Sequence, residues 1–331
     1  MQNKNIHIGY YNSIVLFSNG TVRCWGNNYW NQCDHLCSSV TDVIQVACGW
    51  NYLVSLRSNG TVQCWGDNMW NQCDPLHKTF TDVIQFACGR LHSVALRSNN
   101  TVQCWGHNGY NQCDPVHLTF TDVIQVACGP FFSVALLSNG TVRCWGDNQY
   151  NQCDPLHSTF TDVIQVVCGG YHSVALLSNG TIRCWGDNRN NQCNPVHLTF
   201  TDVIQIACGF SHSVALTSNG TIKCWGNNDL NRCDPVTFTD VIQVACGYDH
   251  SVVLLADMTI RCWGSNHNNQ CDPLHSTFTN VIQVACGYYN SVALLANGTI
   301  KCWGNNEWNQ CDPVHLTFTD VMMPSCDCLL W

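Results

Sequence analysis

CGPFFSVALLSNGTVRCWGDNQYNQCDP, residues 128–155, recurs with small changes eight times along this chain of 331 residues. Its invariant word, Cys-Trp-Gly, begins at Cys24, Cys64, Cys104, Cys144, Cys184, Cys224, Cys262 and Cys302. The spacing is 40 residues, apart from one interval of 38 where the stretch after Pro235 is two residues short. A fixed period of this size marks a solenoid, a propeller or an array, whose units bury their apolar faces only against their neighbours. Residues 1–331 therefore read as a single domain despite the length.

Within a repeat, FTDVIQVACG, HSVALLS and TVRCWG each alternate apolar and polar residues and are rich in β-branched side chains, so each predicts a strand. Helix signals are absent. Ser-Asn-Gly-Thr between the second and third strands predicts a hairpin of type I′, which requires φ > 0 at both central residues. NQCDPLHSTF then returns the chain to the next repeat, with a short outer strand expected on the way. Small tandem sheets have exposed edges that radial closure protects. The fold expected is an all-β, closed propeller of eight blades, the alternative being seven blades with an atypical terminal repeat. The first repeat starts at Gly9 without an FTDVIQVAC segment, whereas the chain ends with a spare Thr319-Asp320-Val321. Residues 320–326 are accordingly expected to complete the N-terminal blade as a clasp.

The formal charge is −9, yet Glu307 is the only glutamate and the aspartates recur at turn positions such as Asp154 and Asp162. No basic run is present to neutralise phosphates, so no nucleic-acid partner is expected. Nowhere do about 18 apolar residues run together as a membrane span needs. The start, MQNKNIHIGYYNS, lacks the apolar stretch of a secretion signal, which points to a cytoplasmic or nuclear protein, or one packaged in a virion. The 26 cysteines pull the other way, because that density in a small secreted protein reads as a disulfide framework.

Three cysteines recur per repeat, as in Cys144, Cys153 and Cys168, and Cys37 and Cys328 are extra. An odd number cannot pair off inside one blade, so buried thiols and a partial disulfide ladder both stay open. Cys37 and Cys328, one near each end, are a candidate ring-closing disulfide. Cys-Asp-Pro-x-His recurs from Cys73/His77 to Cys311/His315, but two ligands per loop do not close a tetrahedral site, and no metal is expected. The Asn-x-Thr triplets, from Asn19 to Asn297, formally match a glycosylation acceptor and are explained by the hairpin. His92, His172, His212 and His250 open second strands with no convergent acid or nucleophile, and phosphate, dinucleotide and hydrolase motifs are missing. A non-enzyme without cofactor is expected.

The pattern ACGYxHSVALLSNGTVRCWGDNxxNQ resembles the repeat of the regulator of chromosome condensation family, through Cys-Gly before the second strand, His-Ser at its start, the Asn-Gly hairpin, Trp-Gly ending the third strand and Asn-x-x-x-Gln after it. The resemblance implies a β-propeller. Members usually have seven blades, and commonly carry leucine where Cys33 and its equivalents stand here. It also implies, as one reading, guanine-nucleotide exchange on Ran with chromatin association, against which stand the even period and the lack of a basic N-terminal arm. A light sensor of the plant ultraviolet-B type would need tryptophans with arginines, and Trp50 is expected to lack a neighbouring arginine, its equivalents being mostly Tyr or other residues. Near-identical, Cys-rich repeats also resemble in style the members encoded by large amoeba-infecting viruses, and so suggest a disulfide-rich virion component.

Positions that change between repeats are free to carry function. In the loop after Trp-Gly-x-Asn one position reads Trp30, Trp70, Tyr110, Tyr150, Asn190, Leu230, Asn268 and Trp308. On a closed ring Trp308, Trp30, Trp70, Tyr110 and Tyr150 fall on consecutive blades, as an aromatic arc of the kind enriched at binding hot spots. The loop after Cys-Gly holds a second aromatic set, including Tyr10, Trp50, Phe131, Tyr171, Phe210, Tyr248 and Tyr288, which either covers the blade tops or binds. The function expected is a rigid interaction or structural scaffold holding a protein or glycan partner, or further copies of itself.

Overall fold

The computed structural model describes residues 6–33, 40–73, 81–113, 120–154, 160–194, 200–233, 238–271 and 278–311. Among them the chain forms 24 strands in eight three-stranded antiparallel sheets, one per repeat and each in sequence order. In the fourth repeat the strands are Val123–Cys128, Phe132–Leu137 and Val142–Gly146. The middle strand is buried along nearly its whole length because neighbouring sheets cover both of its faces, whereas the third strand is buried at Val142 and Trp145 alone. A register shift between Val123 and Gln125 bulges the first strand and turns Ile124 outward.

The hairpin differs from the expected type I′. Gly140 N–H donates to Leu137 O at 2.9 Å, and Gly140 has φ 77° while Asn139 stays out of the left-handed region. This is a type I turn closed by a left-handed residue, the three-residue loop with a glycine bulge. The Asn139 side chain accepts instead from Thr141 N (3.0 Å) and Thr141 Oγ1 (2.7 Å). Asparagine is therefore selected for its carboxamide, and only the following position takes the left-handed conformation, filled by glycine in most repeats.

The first sheet also departs from expectation. Its first-strand position is filled by Ile6–Ile8, with Ile6 paired to Val15 and Ile8 to Ser13. Ile6 and Ile8 supply the two inward apolar side chains that the Val-Ala-Cys run supplies elsewhere, so three residues suffice. The slot assigned to residues 320–326 is thus taken, and those residues, with Cys37 and Cys328, lie outside the described ones.

Each core cluster is shared by two consecutive repeats. Ala127, Phe132 and Val134 of the fourth pack with Val166, Cys168 and Trp185 of the fifth. By the same pattern Ile6, Ile8, Val15 and Trp25 of the first repeat pack with Ala285, Val292 and Leu294 of the eighth. No sheet among the described residues closes on itself, and side chains join the repeats. Trp145 Nε1 donates to Gln112 O of the preceding repeat at 2.8 Å, and Trp25 Nε1 donates to Gln310 O at 2.9 Å. Gln125 Nε2 donates to Val166 O at 2.9 Å and its Oε1 accepts from Val166 N. At the start of the middle strands His92, His172, His212 and His250 each place Nε2 within 2.9 Å of a serine hydroxyl in the next repeat. Tyr52 does the same to Ser93 (3.0 Å), and Asn290 reaches Ser13 (3.5 Å).

Candidate functional site

The loop that carries the expected aromatic arc is built by its own polar side chains. In the fourth repeat Asn148 Oδ1 accepts from Cys153 N (2.7 Å) and the buried Gln152 accepts through Oε1 from Tyr150 N (2.7 Å). Asn151 takes φ 61°, a left-handed conformation that asparagine tolerates. These contacts recur around Trp30, Trp70, Tyr110 and Trp308, whose N–H groups donate to Gln32, Gln72, Gln112 and Gln310. With its backbone held, each loop presents its variable side chain at a set place. Trp70, Tyr110 and Trp308 are exposed at 49%, 41% and 46%, whereas Trp30 and Tyr150 are half-buried.

The second aromatic set lies inward of the first. In six of the seven Cys-Gly turns a Cβ on the glycine would strike the ring that follows three residues later, as at Gly129 and Phe132, and at Gly287 it would strike Ile8 and Asn290. The residues after these turns, from all eight repeats, converge on one cavity of about 390 Å³. Around it Tyr10 and Tyr288 approach to 3.9 Å between ring centroids, Tyr248 stacks on Tyr288 (3.8 Å) and on Phe210 (4.2 Å), and Phe210 meets Tyr171 edge-on (5.4 Å). Among the described residues of the lining Arg90 is the only charged one, and its guanidinium sits 3.4 Å above the Trp50 ring. Sequence reading missed this pair because the arginine comes from the equivalent position of the next repeat, forty residues on. The expectation that Trp50 lacks an arginine neighbour is corrected accordingly.

The two sets are continuous. Trp308 packs toward Tyr11 (6.1 Å), Tyr110 against Phe131 (5.3 Å), Tyr150 against Tyr171 (5.4 Å), and Trp70 against His107 (4.7 Å), which faces Tyr110. Trp30 meets Tyr29 (5.1 Å). Trp308, Tyr110 and Tyr150 thus reach inward to the second set, whereas Trp70 reaches sideways through His107 toward Tyr110 and Trp30 rests on its own loop. Arg189 covers Tyr150 at 3.9 Å and is forked onto Asp187 by two bonds of 2.9 Å. At the sixth repeat Arg232 replaces the usual glutamine and pairs with Asp249 of the seventh at 2.8 Å, both largely buried. At the far end of the first strands the bulged Ile164, Ile204 and Ile242 are more than half exposed, a second apolar feature that alternation alone would have pointed inward.

Burial sets the titration of the site's other groups. It raises the thiols of Cys33, Cys113, Cys153, Cys193 and Cys271 to about 12, and lowers His92, His212 and His250 to about 3. The thiols are therefore protonated and the imidazoles neutral near pH 7, and a thiol here reacts only as far as higher pH or opening toward water supplies its thiolate. Cys24 is disulfide-bonded, and 22 other described cysteines are outside disulfides. The described residues contain no group of three or more ligating side chains placed to hold a metal. The histidines of Cys-Asp-Pro-x-His, His77 to His315, lie outside the described residues. No helix among the described residues is long and apolar enough to cross a membrane.

The Regulator of chromosome condensation (RCC1) repeat matches eight times, at residues 4–32, 43–68, 83–112, 123–152, 163–192, 203–232, 241–270 and 281–310. The chain belongs to this family. Its fold is similar to the CRINKLY WD40 ectodomain of the Arabidopsis thaliana receptor kinase ACR4, at 18% identity over 97% of this chain and 99% of that one, with a TM-score of 0.57. Similar too are Prp20p from Saccharomyces cerevisiae (22% identity, 76% and 82% covered, TM-score 0.57) and human WBSCR16 (20%, 88% and 87%, TM-score 0.57). No curated protein matches the chain.

Proposed function

We propose that the chain is a closed eight-bladed propeller that acts as a non-enzymatic scaffold, gripping an extended segment of a protein partner on its aromatic face. The observation that carries this reading is the unbroken aromatic surface running from the axial cavity to the exposed tips of Trp70, Tyr110 and Trp308. Contact between the first and eighth repeats supports closure, since it uses the same tryptophan-to-carbonyl bond as the other junctions. A cavity of about 390 Å³ admits side chains but not a folded domain, so an inserted segment fits better than a flat surface. Arg90 would hold a carboxylate or carbonyl of that segment, since it is the one cation among the described lining residues. The similar Prp20p was studied for its binding properties to Gsp1p and histones, and a protein partner is inferred here by likeness of fold.

Selection of a random peptide display library on the parent protein tests this. Enriched peptides should bind the W70A/Y110A/W308A variant at least 30-fold more weakly, the loss of about 2 kcal/mol expected for a hot-spot aromatic. They should bind I164A/I204A unchanged. Equal binding to both variants, or no enrichment, overturns the reading, and retention of a glycan in parallel with failed peptide selection would move it to a sugar partner.

A further inference from the structure

From the second repeat to the eighth, each repeat carries two thiols nine residues apart, one in Cys-Trp-Gly and one in Asn-Gln-Cys or Asn-Arg-Cys. The fold brings them together. Cys224 Sγ lies 3.1 Å from Cys233 Sγ. The first thiol of the pair reaches the carbonyl just before the second: Cys64 Sγ donates to Gln72 O (3.2 Å) and Cys224 Sγ to Arg232 O (3.0 Å). The second thiol turns back toward the same loop base, as Cys153 Sγ donates to Asp147 O at 3.5 Å. The third cysteine of a repeat is held differently, for Ser93 Oγ donates to Cys88 Sγ and Ser173 Oγ to Cys168 Sγ, both at 3.6 Å.

We propose that these pairs nine residues apart, exemplified by Cys64/Cys73, Cys144/Cys153 and Cys224/Cys233, are oxidation sites, each closing to a disulfide that staples the loop between them. A disulfide needs its sulfurs at about 2.05 Å, so a pair 3.1 Å apart must approach by only about 1 Å. Asn68, Asn148 and Asn228 already fix the main chain of the second cysteine by accepting its N–H at 2.7–2.8 Å. The oxidant is a small-molecule disulfide of the glutathione type. One protein thiol, deprotonated to water, attacks a sulfur of the oxidant and expels one small thiolate. The second protein thiolate then attacks the mixed disulfide, forming the intramolecular S–S bond and releasing the other small thiolate. Two electrons pass to the oxidant, and the two protons end on the two small thiols. In the second, third, fourth and eighth repeats the ring so closed contains Trp70, Tyr110, Tyr150 and Trp308 respectively and holds that residue whatever partner it meets, and in the sixth it contains Leu230. The first repeat is the exception, since Cys24 is already disulfide-bonded while Cys33 is not.

Fully reduced, native protein is incubated with oxidised glutathione at about pH 8.5, where thiolate forms faster, then blocked with N-ethylmaleimide, digested and mapped by mass spectrometry. Links 64–73, 144–153 and 224–233 are expected, with Cys88 and Cys168 alkylated only after denaturation. In C233S the Cys224 peptide should be alkylated or glutathionylated while the other repeats still close, and C73S provides the same comparison in another repeat. Links such as 64–88 between a Cys-Trp-Gly cysteine and a first-strand cysteine, glutathione adducts without internal closure, or persistent thiols overturn the proposal.

Discussion

His250 shows how far one residue's behaviour is set by its place in the stack. It is fully buried, meets Ser291 Oγ at 2.7 Å, and burial lowers its imidazole to about 3. The ordinary value in the unfolded chain is about 6.5. Above that pH both states are neutral and the histidine costs nothing. Below it the unfolded chain binds a proton that the folded one refuses, so stability falls as pH drops from about 6.5 toward 3, by up to ~1.4 kcal/mol per pH unit per histidine. Tyr52 fills the equivalent position and meets Ser93 at 3.0 Å, so H250Y should keep the junction. Urea unfolding at pH 6.5 and 4.5 should show H250Y losing about 2 kcal/mol less than the parent over that interval. An equal loss would mean that His250 is protonated in the fold. The sequence made this histidine visible as the start of a strand, but its serine partner lies in the next repeat and could not be read.

At the scale of the element, the hairpins separate what a turn needs from what its sequence usually shows. Gly20, Gly60 and Gly140 adopt φ 75–78° at the bulge position, and Met258 is held at φ 63° in the same place in the seventh repeat. A side chain there carries the left-handed penalty of about 1–2 kcal/mol. Met258 is exposed at 44%, so little packing would be lost by removing it. M258G should stabilise the protein by about 1 kcal/mol, read as a higher urea midpoint with an unchanged slope. A lowered midpoint would assign Met258 a packing role that outweighs its backbone strain. The presence of three strands and a tight turn was legible because period-two alternation and Asn-Gly are local signals. The turn type was not, because Asn139 is chosen for its bonds to Thr141, and composition alone does not distinguish the two uses.

For the whole molecule, the junction between the first and eighth repeats is the decisive contact. Trp25 to Gln310 repeats the geometry of Trp145 to Gln112, and both indoles are buried. If the ring is closed in solution, W25F and W145F should destabilise by similar amounts, about 1 kcal/mol for the lost indole hydrogen bond and its stranded carbonyl. An open array would let the terminal repeat move away, and W25F would then cost much less in urea unfolding than W145F. In a stack stabilised by nearest-neighbour contacts, every interface matters only as far as both of its repeats are held in place.

The sequence by itself determined the repeat, its three strands, the family and the loops free to vary, because each of these is written in local alternation, turn residues and a period of 40 residues broken once. It also singled out Trp30, Trp70, Tyr110, Tyr150 and Trp308, since they stand where an otherwise constant loop varies. Only the tertiary structure decided that Ile6–Ile8 serve as the first strand, that Arg90 lies over Trp50, and that Cys224 touches Cys233. Ile6–Ile8 lack the repeat's signature and are recognised only by the strand they pair with. Arg90 and Trp50 stand forty residues apart and meet because equivalent positions of adjacent repeats converge on one cavity. The two cysteines meet because Asn228 folds the loop between them back on itself, which the spacing of nine residues does not reveal.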